Sequence, residues 1–199
     1  IRDRFFIMFT TSANRYTIII IAEETFGRLI MCTAATYQTD DFYMGRTLDY
    51  EFSYGEEITV MPRRFPLEFR HGSRTDEHYA IIGTAHVSDG YPMYYDAVNE
   101  KGLGMAGLNF AVSAHYAEPQ DGKQNIAQFE FIPWVLSQYA TIEQARSAIE
   151  KINLVGTTFD SRYPAAKMHW IIADKSGAIT VEPTESGLKI YDNAPGVLT

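Results

Sequence analysis

LIMCTAATYQTDDFYMGRTLDYE, residues 29–51, decides the reading of this chain. After Met31 the pattern becomes regular. Cys32 to Thr39 reads as a strand, Asp40 and Asp41 as a turn, and Phe42 to Tyr50 as a second strand. An antiparallel hairpin of this kind brings Gly45–Asp49 back beside Cys32, the only cysteine in the sequence. Alternation places Arg46 and Leu48 on one face of the second strand and Asp49 at its end.

A lone cysteine is by default a buried structural residue. The methionine directly before it allows a second reading. If Met31 is the true start, removal of the initiator leaves Cys32 with both a thiol and a free α-amine. A free α-amine titrates at about 7.7–8.0 and a thiol at about 8.5, so the amine can take the thiol's proton without a histidine. Such a residue is nucleophile and base together, suited to attack on an amide carbonyl. Arg46 near it favours a thiolate, and Asp49 orients the amine; elsewhere the two make a surface ion pair of little worth.

Working outward, Ile58–Met61 and Tyr79–His86 are strand candidates. Tyr94–Val98 and Gly104–Phe110 flank the turn NEKG, residues 99–102, as another hairpin. Asn125–Tyr139 has apolar residues at helical spacing, with Pro133 as a possible kink. Thr141–Ile152 opens with Thr141 and Gln144 as a capping box and buries Ala145, Ala148, Ile149 and Ile152. Strands return at Met168–Asp174, Ala178–Glu182 and Leu188–Tyr191, the first two joined by the turn KSG, residues 175–177. Residues 1–30 show neither a clean period of 2 nor one of 3.6. Strands, then helices, then strands joined by hairpins make an α+β layered fold with antiparallel sheets, not a doubly wound one.

Composition narrows the function classes. The chain has 199 residues, 46% hydrophobic and 21% charged, so one domain with a real core is expected. A net charge of −8 argues against a nucleic-acid partner. One cysteine excludes an internal disulfide. The best candidate for a membrane span, Ile18–Ala22, is far short of the roughly 18 residues needed. Arg2 and Arg4 precede apolar patches as in an export signal, but Asn14, Arg15, Glu23 and Glu24 interrupt it. The five histidines lack paired metal-ligand spacing, and His169 in MHWIIAD reads as a core residue with a satisfied ring. The glycine-rich GLGMAGLNF is no dinucleotide fingerprint, because no helix pattern opens behind it. Its Asn109, at a strand end, either caps its own backbone or donates an amide hydrogen bond to a developing oxyanion.

Together MCTA (31–34), GRTLDYEFSYGE (45–56), PRRFP (62–66), DGYPMYYDAVNEKGLGMAGLNF (89–110), MHWIIAD (168–174) and GVLT (196–199) resemble the choloylglycine hydrolases. These comprise the bile salt hydrolases and penicillin V acylases of the N-terminal nucleophile hydrolase superfamily. The resemblance implies an αββα four-layer sandwich with two stacked antiparallel sheets, and cofactor-free hydrolysis of a linear amide. Carried over by position, it makes Cys32 the nucleophile, Arg46 and Asp49 its close partners, and Asn109 the oxyanion-hole residue. An Asn there is typical of bile salt hydrolases, where penicillin V acylases often have Tyr, so glycine- and taurine-conjugated bile salts are the implied substrates. Phe52, Tyr54 and Phe110 are pocket candidates for the steroid.

Residues 31–199 thus read as the N-terminal portion of such a domain and residues 1–30 as an extension outside it, a propeptide or a start placed too early. The family's next catalytic asparagine and arginine lie past GVLT, so this chain by itself is expected to show little activity. The resemblance also implies a bacterial, cytoplasmic protein, often a homotetramer. Alternatives are a penicillin V acylase, a noncatalytic bile-salt-binding relative whose cysteine stays internal, and a membrane-tethered domain.

Overall fold

The structure, a computed structural model, describes residues 3–12, 15–24, 32–49, 53–72 and 74–199. The first strands are β1 (Asp3–Ser12), β2 (Arg15–Glu24), β3 (Thr33–Gln38), β4 (Phe42–Asp49) and β5 (Glu57–Met61). Next come β6 (Ile81–Ser88), β7 (Tyr91–Asn99), β8 (Gly104–Asn109) and β9 (Gln124–Ala127). The helices α1 (Phe131–Gln138) and α2 (Ile142–Ile149) precede β10 (Ile152–Val155), β11 (Met168–Asp174), β12 (Gly177–Thr184), β13 (Gly187–Asp192) and β14 (Val197–Leu198). Among the described residues, one sheet runs β14-β3-β4-β1-β2 and a second runs β13-β12-β11-β8-β7-β6-β5. Every pairing within these two sheets is antiparallel.

The period-2 pattern of β8 and β11 builds two cores. Met105, Trp170 and Ile172 face the helices and pack with Phe131, Trp134 and Ile149. The intervening Ala106, Leu108, Ile171 and Ala173 face the other sheet and pack on Ala34, Phe42 and Met44. The Trp170 ring meets Phe131 edge-on at 4.8 Å, an arrangement that adds to simple area burial. Small residues let the sheets close up: a Cβ on Gly104 would lie 2.7 Å from the Met44 sulfur. The result is an α+β sandwich of two stacked antiparallel sheets, with α1 and α2 on the outer face of the longer one. A helix layer outside the shorter sheet is not among the described residues.

The hairpins β3–β4, β7–β8 and β11–β12 fall where the turns place them. The other expected strands hold within about two residues, the known uncertainty of element ends. Four features differ, the first being that α2 ends at Ile149 and Ile152, expected in its buried stripe, opens β10 instead. Asn125–Ala127 is strand, not helix, paired in parallel with β10. The helix starts later, at Phe131, so Pro133 falls in its first turn, where its missing N–H costs nothing, and it need not kink the helix. Residues 3–12 and 15–24, whose apolar residues lack alternation, are antiparallel strands that continue the β4 ladder, with Arg4 opposite Asp49 and Ile7 opposite Arg46. An unbroken apolar run shows no period of 2 and is still compatible with a strand.

The start of α2 matches its sequence signal closely. Thr141 Oγ1 accepts from the Gln144 N–H at 3.3 Å, and Gln144 Oε1 accepts from Ala140 N–H at 2.9 Å. The Gln side chain thus serves the residue before the N-cap.

Candidate active site

Cys32 stands at the entry to β3, half-buried against the cluster between the sheets that contains Ala34, Ala106 and Leu108. Its Sγ lies 3.9 Å from the main-chain carbonyl oxygen of Asp49, at the end of β4. A short relay holds the two strand ends together. Thr33 N–H donates to Thr47 Oγ1 at 3.0 Å, and the Thr47 hydroxyl donates to Asp49 Oδ2 at 3.1 Å. The hairpin therefore joins Cys32 and Asp49 as its turn requires.

Arg46 does something the sequence does not show. It is 2% exposed and does not sit on the surface. From β4 it crosses between the sheets, donating through Nη1 to Asp96 Oδ2 at 3.2 Å and through Nη2 to the Gly107 carbonyl at 2.8 Å. Asp96 on β7 has no exposed surface. Burial pushes its carboxyl above the usual range, and Arg46 and Thr84 pull it back in part. Asp96 was legible only as an acid inside the otherwise apolar and aromatic strand YPMYYDAVN.

Asn109 is exposed at the end of β8, next to Leu108 of the Cys32 cluster. Its register partner is Met168. Met168 lines a cavity of about 360 Å³ whose wall includes Tyr54, Met93, Tyr94, Phe129 and Trp170. Asn109 thus belongs to the strand pair that separates the thiol from this cavity. Of the sequence's three pocket candidates, Tyr54 lines it. Phe110 instead stacks on the His169 ring at 4.5 Å, and Phe52 lies outside the described residues. His169 is buried as expected, but its ring is only half satisfied. Nδ1 lies 3.4 Å from Glu182, and Nε2 has no partner among the described residues. Burial lowers its pKa, favouring the neutral ring, with Glu182 opposing.

The cavity wall is stiffened by Arg70, stacked 5.4 Å from the Phe129 ring and 5.8 Å from the Phe159 ring. Buried Glu130 accepts from the Arg70 N–H at 2.6 Å and the Ala127 N–H at 3.3 Å. Burial pushes its carboxyl up to about 6, against those hydrogen bonds.

Two stacked antiparallel sheets with helices on an outer face, and a half-buried cysteine packed between the sheets, match the sandwich of the N-terminal nucleophile hydrolases. Comparison with known proteins agrees. The model of the linear amide C–N hydrolases, choloylglycine hydrolase family, matches residues 32–199, and the chain belongs to that family. The bile salt hydrolase/transferase of Lactiplantibacillus plantarum is 50% identical over 169 residues, covering 85% of this chain and 52% of the relative. The conjugated bile acid hydrolase of Lactobacillus gasseri is 40% identical over 173 residues, covering 85% and 55%. Among solved structures, a variant of conjugated bile acid hydrolase from Clostridium perfringens superposes with a TM-score of 0.78 at 35% identity, covering 84% of this chain and 53% of that one. Penicillin V acylase from Agrobacterium tumefaciens shares the fold, with a TM-score of 0.69 at 21% identity over 84% of this chain and 52% of its own. The chain spans about half the length of the curated relatives it matches.

Glu130 gives a pH signature to the wall of the cavity. Its folded pKa lies above the usual 4.5, so the folded state binds the proton more tightly than the unfolded chain. That contribution to stability is present at low pH and is lost as pH rises through about 4.5 to 6. In the full-length protein, urea unfolding at pH 4.5 and 7 is expected to show a Glu130-dependent loss of roughly 1–2 kcal/mol on going to pH 7. Glu130→Gln costs a hydrogen bond at both pH values but removes this difference; an unchanged difference in the variant would refute the assignment.

Proposed function

We propose that the full-length protein hydrolyses the amide bond of glycine- and taurine-conjugated bile salts, with Cys32 as nucleophile. The observation that carries this reading is Cys32 at the entry to β3, packed between the two sheets with the Asp49 carbonyl at its sulfur; an aromatic cavity borders the same β8–β11 strand pair. A rigid apolar steroid matches such walls, and its volume range is that of small-molecule sites. The relatives named for bile salt and conjugated bile acid hydrolysis support the substrate class.

In this reading the Cys32 α-amine takes the thiol proton and Sγ attacks the amide carbonyl. The Asn109 amide donates to the oxyanion of the tetrahedral intermediate. Collapse breaks the C–N bond, and the leaving amine of glycine or taurine takes the proton from the Cys32 ammonium. Water, deprotonated by the Cys32 α-amine, then attacks the thioester carbonyl; collapse breaks the C–S bond and frees the bile acid, and the Cys32 ammonium returns its proton to the thiolate. Asp49, held beside Cys32 by the Thr47 relay, orients the amine, and Arg46 anchors the strand beneath them. The mechanism requires Cys32 to carry a free amine in the working protein, with residues 1–31 absent from it. The family resemblance further supports a cytoplasmic homotetramer without a cofactor. Among the described residues no helix is long and apolar enough to cross a membrane.

The test is turnover by the purified full-length protein, with its N-terminus sequenced, on glycocholate, taurocholate and penicillin V. Expected is an N-terminal Cys32 and at least tenfold higher kcat/KM on a conjugated bile salt. Preference for penicillin V favours the acylase, and an internal Cys32 with binding but no turnover favours a noncatalytic relative.

A further inference from the structure

We infer that Asp96 is a positioning residue for the Cys32 chemistry, acting through Arg46; the inference rests on the reading of Cys32 as nucleophile. Arg46 is the register partner of Ala34, and both face the longer sheet. Cys32 precedes Ala34 by two residues and packs in the same cluster, so it is on that face too, diagonal to Arg46 across the β3–β4 ladder. Cβ atoms in that relation lie roughly 7–8 Å apart or less. Arg46 is therefore the cationic floor of the thiol's surroundings.

Among the described residues, what fixes that cation lies on the other sheet. The guanidinium is always protonated, so a buried one needs a counter-charge. Asp96 supplies it at 3.2 Å, and the Gly107 carbonyl takes the second terminal nitrogen at 2.8 Å. The carboxylate and the carbonyl grip two different nitrogens of a planar fork, which sets its orientation as well as its position. Asp96 stands opposite Thr84 in the β6–β7 ladder, and its second carboxylate oxygen, Oδ1, has no hydrogen-bond partner among the described residues.

The same strand segment shapes the cavity. The β6–β7 register shifts between Thr84 and Ala85, leaving Tyr95 as the extra residue between Tyr94 and Asp96. Tyr94 and Tyr95 line the cavity, and the next residue holds Arg46. Asp96 thereby ties the strand that forms the substrate wall to the strand that carries the thiol's neighbours. A carboxylate with no solvent access, aimed at the arginine diagonal to the nucleophile across the β3–β4 ladder, sets where substrate and thiol meet. Small errors in that relation are costly, since a misplacement of about 1 Å loses on the order of 10²-fold in rate.

The experiment is Asp96→Asn in the full-length protein, with glycocholate kinetics and a crystal structure of the variant. Expected are a fall in kcat of roughly 10–100-fold with KM changed less than about threefold, and an Arg46 guanidinium displaced from the Gly107 carbonyl. An Arg46 that keeps its place, or a kcat within threefold of the parent despite a lower Tm, overturns the proposal and leaves Asp96 a purely structural residue. If Asp96→Asn does not fold, the double variant Arg46→Met/Asp96→Leu removes the charge pair and keeps the volume. It is expected to fold and to be as slow as stated, and parental kcat in it is equally fatal. Should the parent itself fail to cleave glycocholate, the proposed function fails and this inference falls with it; a parent that cleaves while Asp96→Asn keeps its kcat and its Arg46 position overturns this inference alone.

Discussion

Cys32→Ser in the full-length protein is expected to lower kcat on glycocholate by roughly 10³-fold or more, the scale of losses seen when a nucleophile is removed. Serine keeps the shape of the side chain, so packing against Ala34, Ala106 and Leu108 changes little. What changes is acidity. A neighbouring α-amine is matched to a thiol and poorly matched to a far less acidic hydroxyl. Among the described residues, the hydrogen bond of Sγ is to a main-chain carbonyl at 3.9 Å, and no histidine is hydrogen-bonded to Cys32. Substrate binding should survive, because the cavity wall is made by β7, β11 and the segment around Phe129. The comparison is single-turnover hydrolysis and equilibrium binding of glycocholate by both proteins. A serine variant within tenfold of the parent would show that Cys32 is not the nucleophile.

How far the site could be read from sequence depended on how local its parts are. The Cys32–Asp49 juxtaposition is made by one hairpin whose turn is marked by Asp40 and Asp41, so strand alternation sufficed. The helix α2 carries its own start signal in Thr141 and Gln144. The strand at Asn125–Ala127 carries no such signal. Ile126, Phe129 and Ile132 repeat at helical spacing, and the strand exists because β10, more than twenty residues later, pairs with it. The Arg46 partner fails for the same reason on a larger scale. Asp49 is the nearest acid in sequence, yet the guanidinium reaches Asp96, fifty residues on, because stacking two sheets brings β4 over β7 and β8. A buried arginine and a buried aspartate each look anomalous in an apolar strand; only the stacking shows that they answer one another.

The ion pair also predicts a large effect on stability. Arg46→Met leaves Asp96 buried without a cation and is expected to cost roughly 3–5 kcal/mol in urea unfolding near neutral pH, the usual cost of breaking a buried pair from one side. The cost should depend on pH. Burial already raises the Asp96 pKa, and Arg46 opposes that rise. Without Arg46 the folded value moves further above the unfolded one, so the folded state binds the proton more tightly. The variant is then most stable at low pH, and its deficit against the parent grows as pH rises from about 4. Pairing Arg46→Met with Asp96→Leu should recover most of the loss, because a well-packed apolar pair often equals or exceeds a buried ion pair in stability. If the double variant is as stable as the parent but inactive, the pair is retained for the geometry it imposes on the thiol and not for the energy it contributes. If Arg46→Met costs under about 1 kcal/mol with no pH dependence, the two side chains do not hold each other, and the crossing between the sheets must be secured by the Gly107 carbonyl alone.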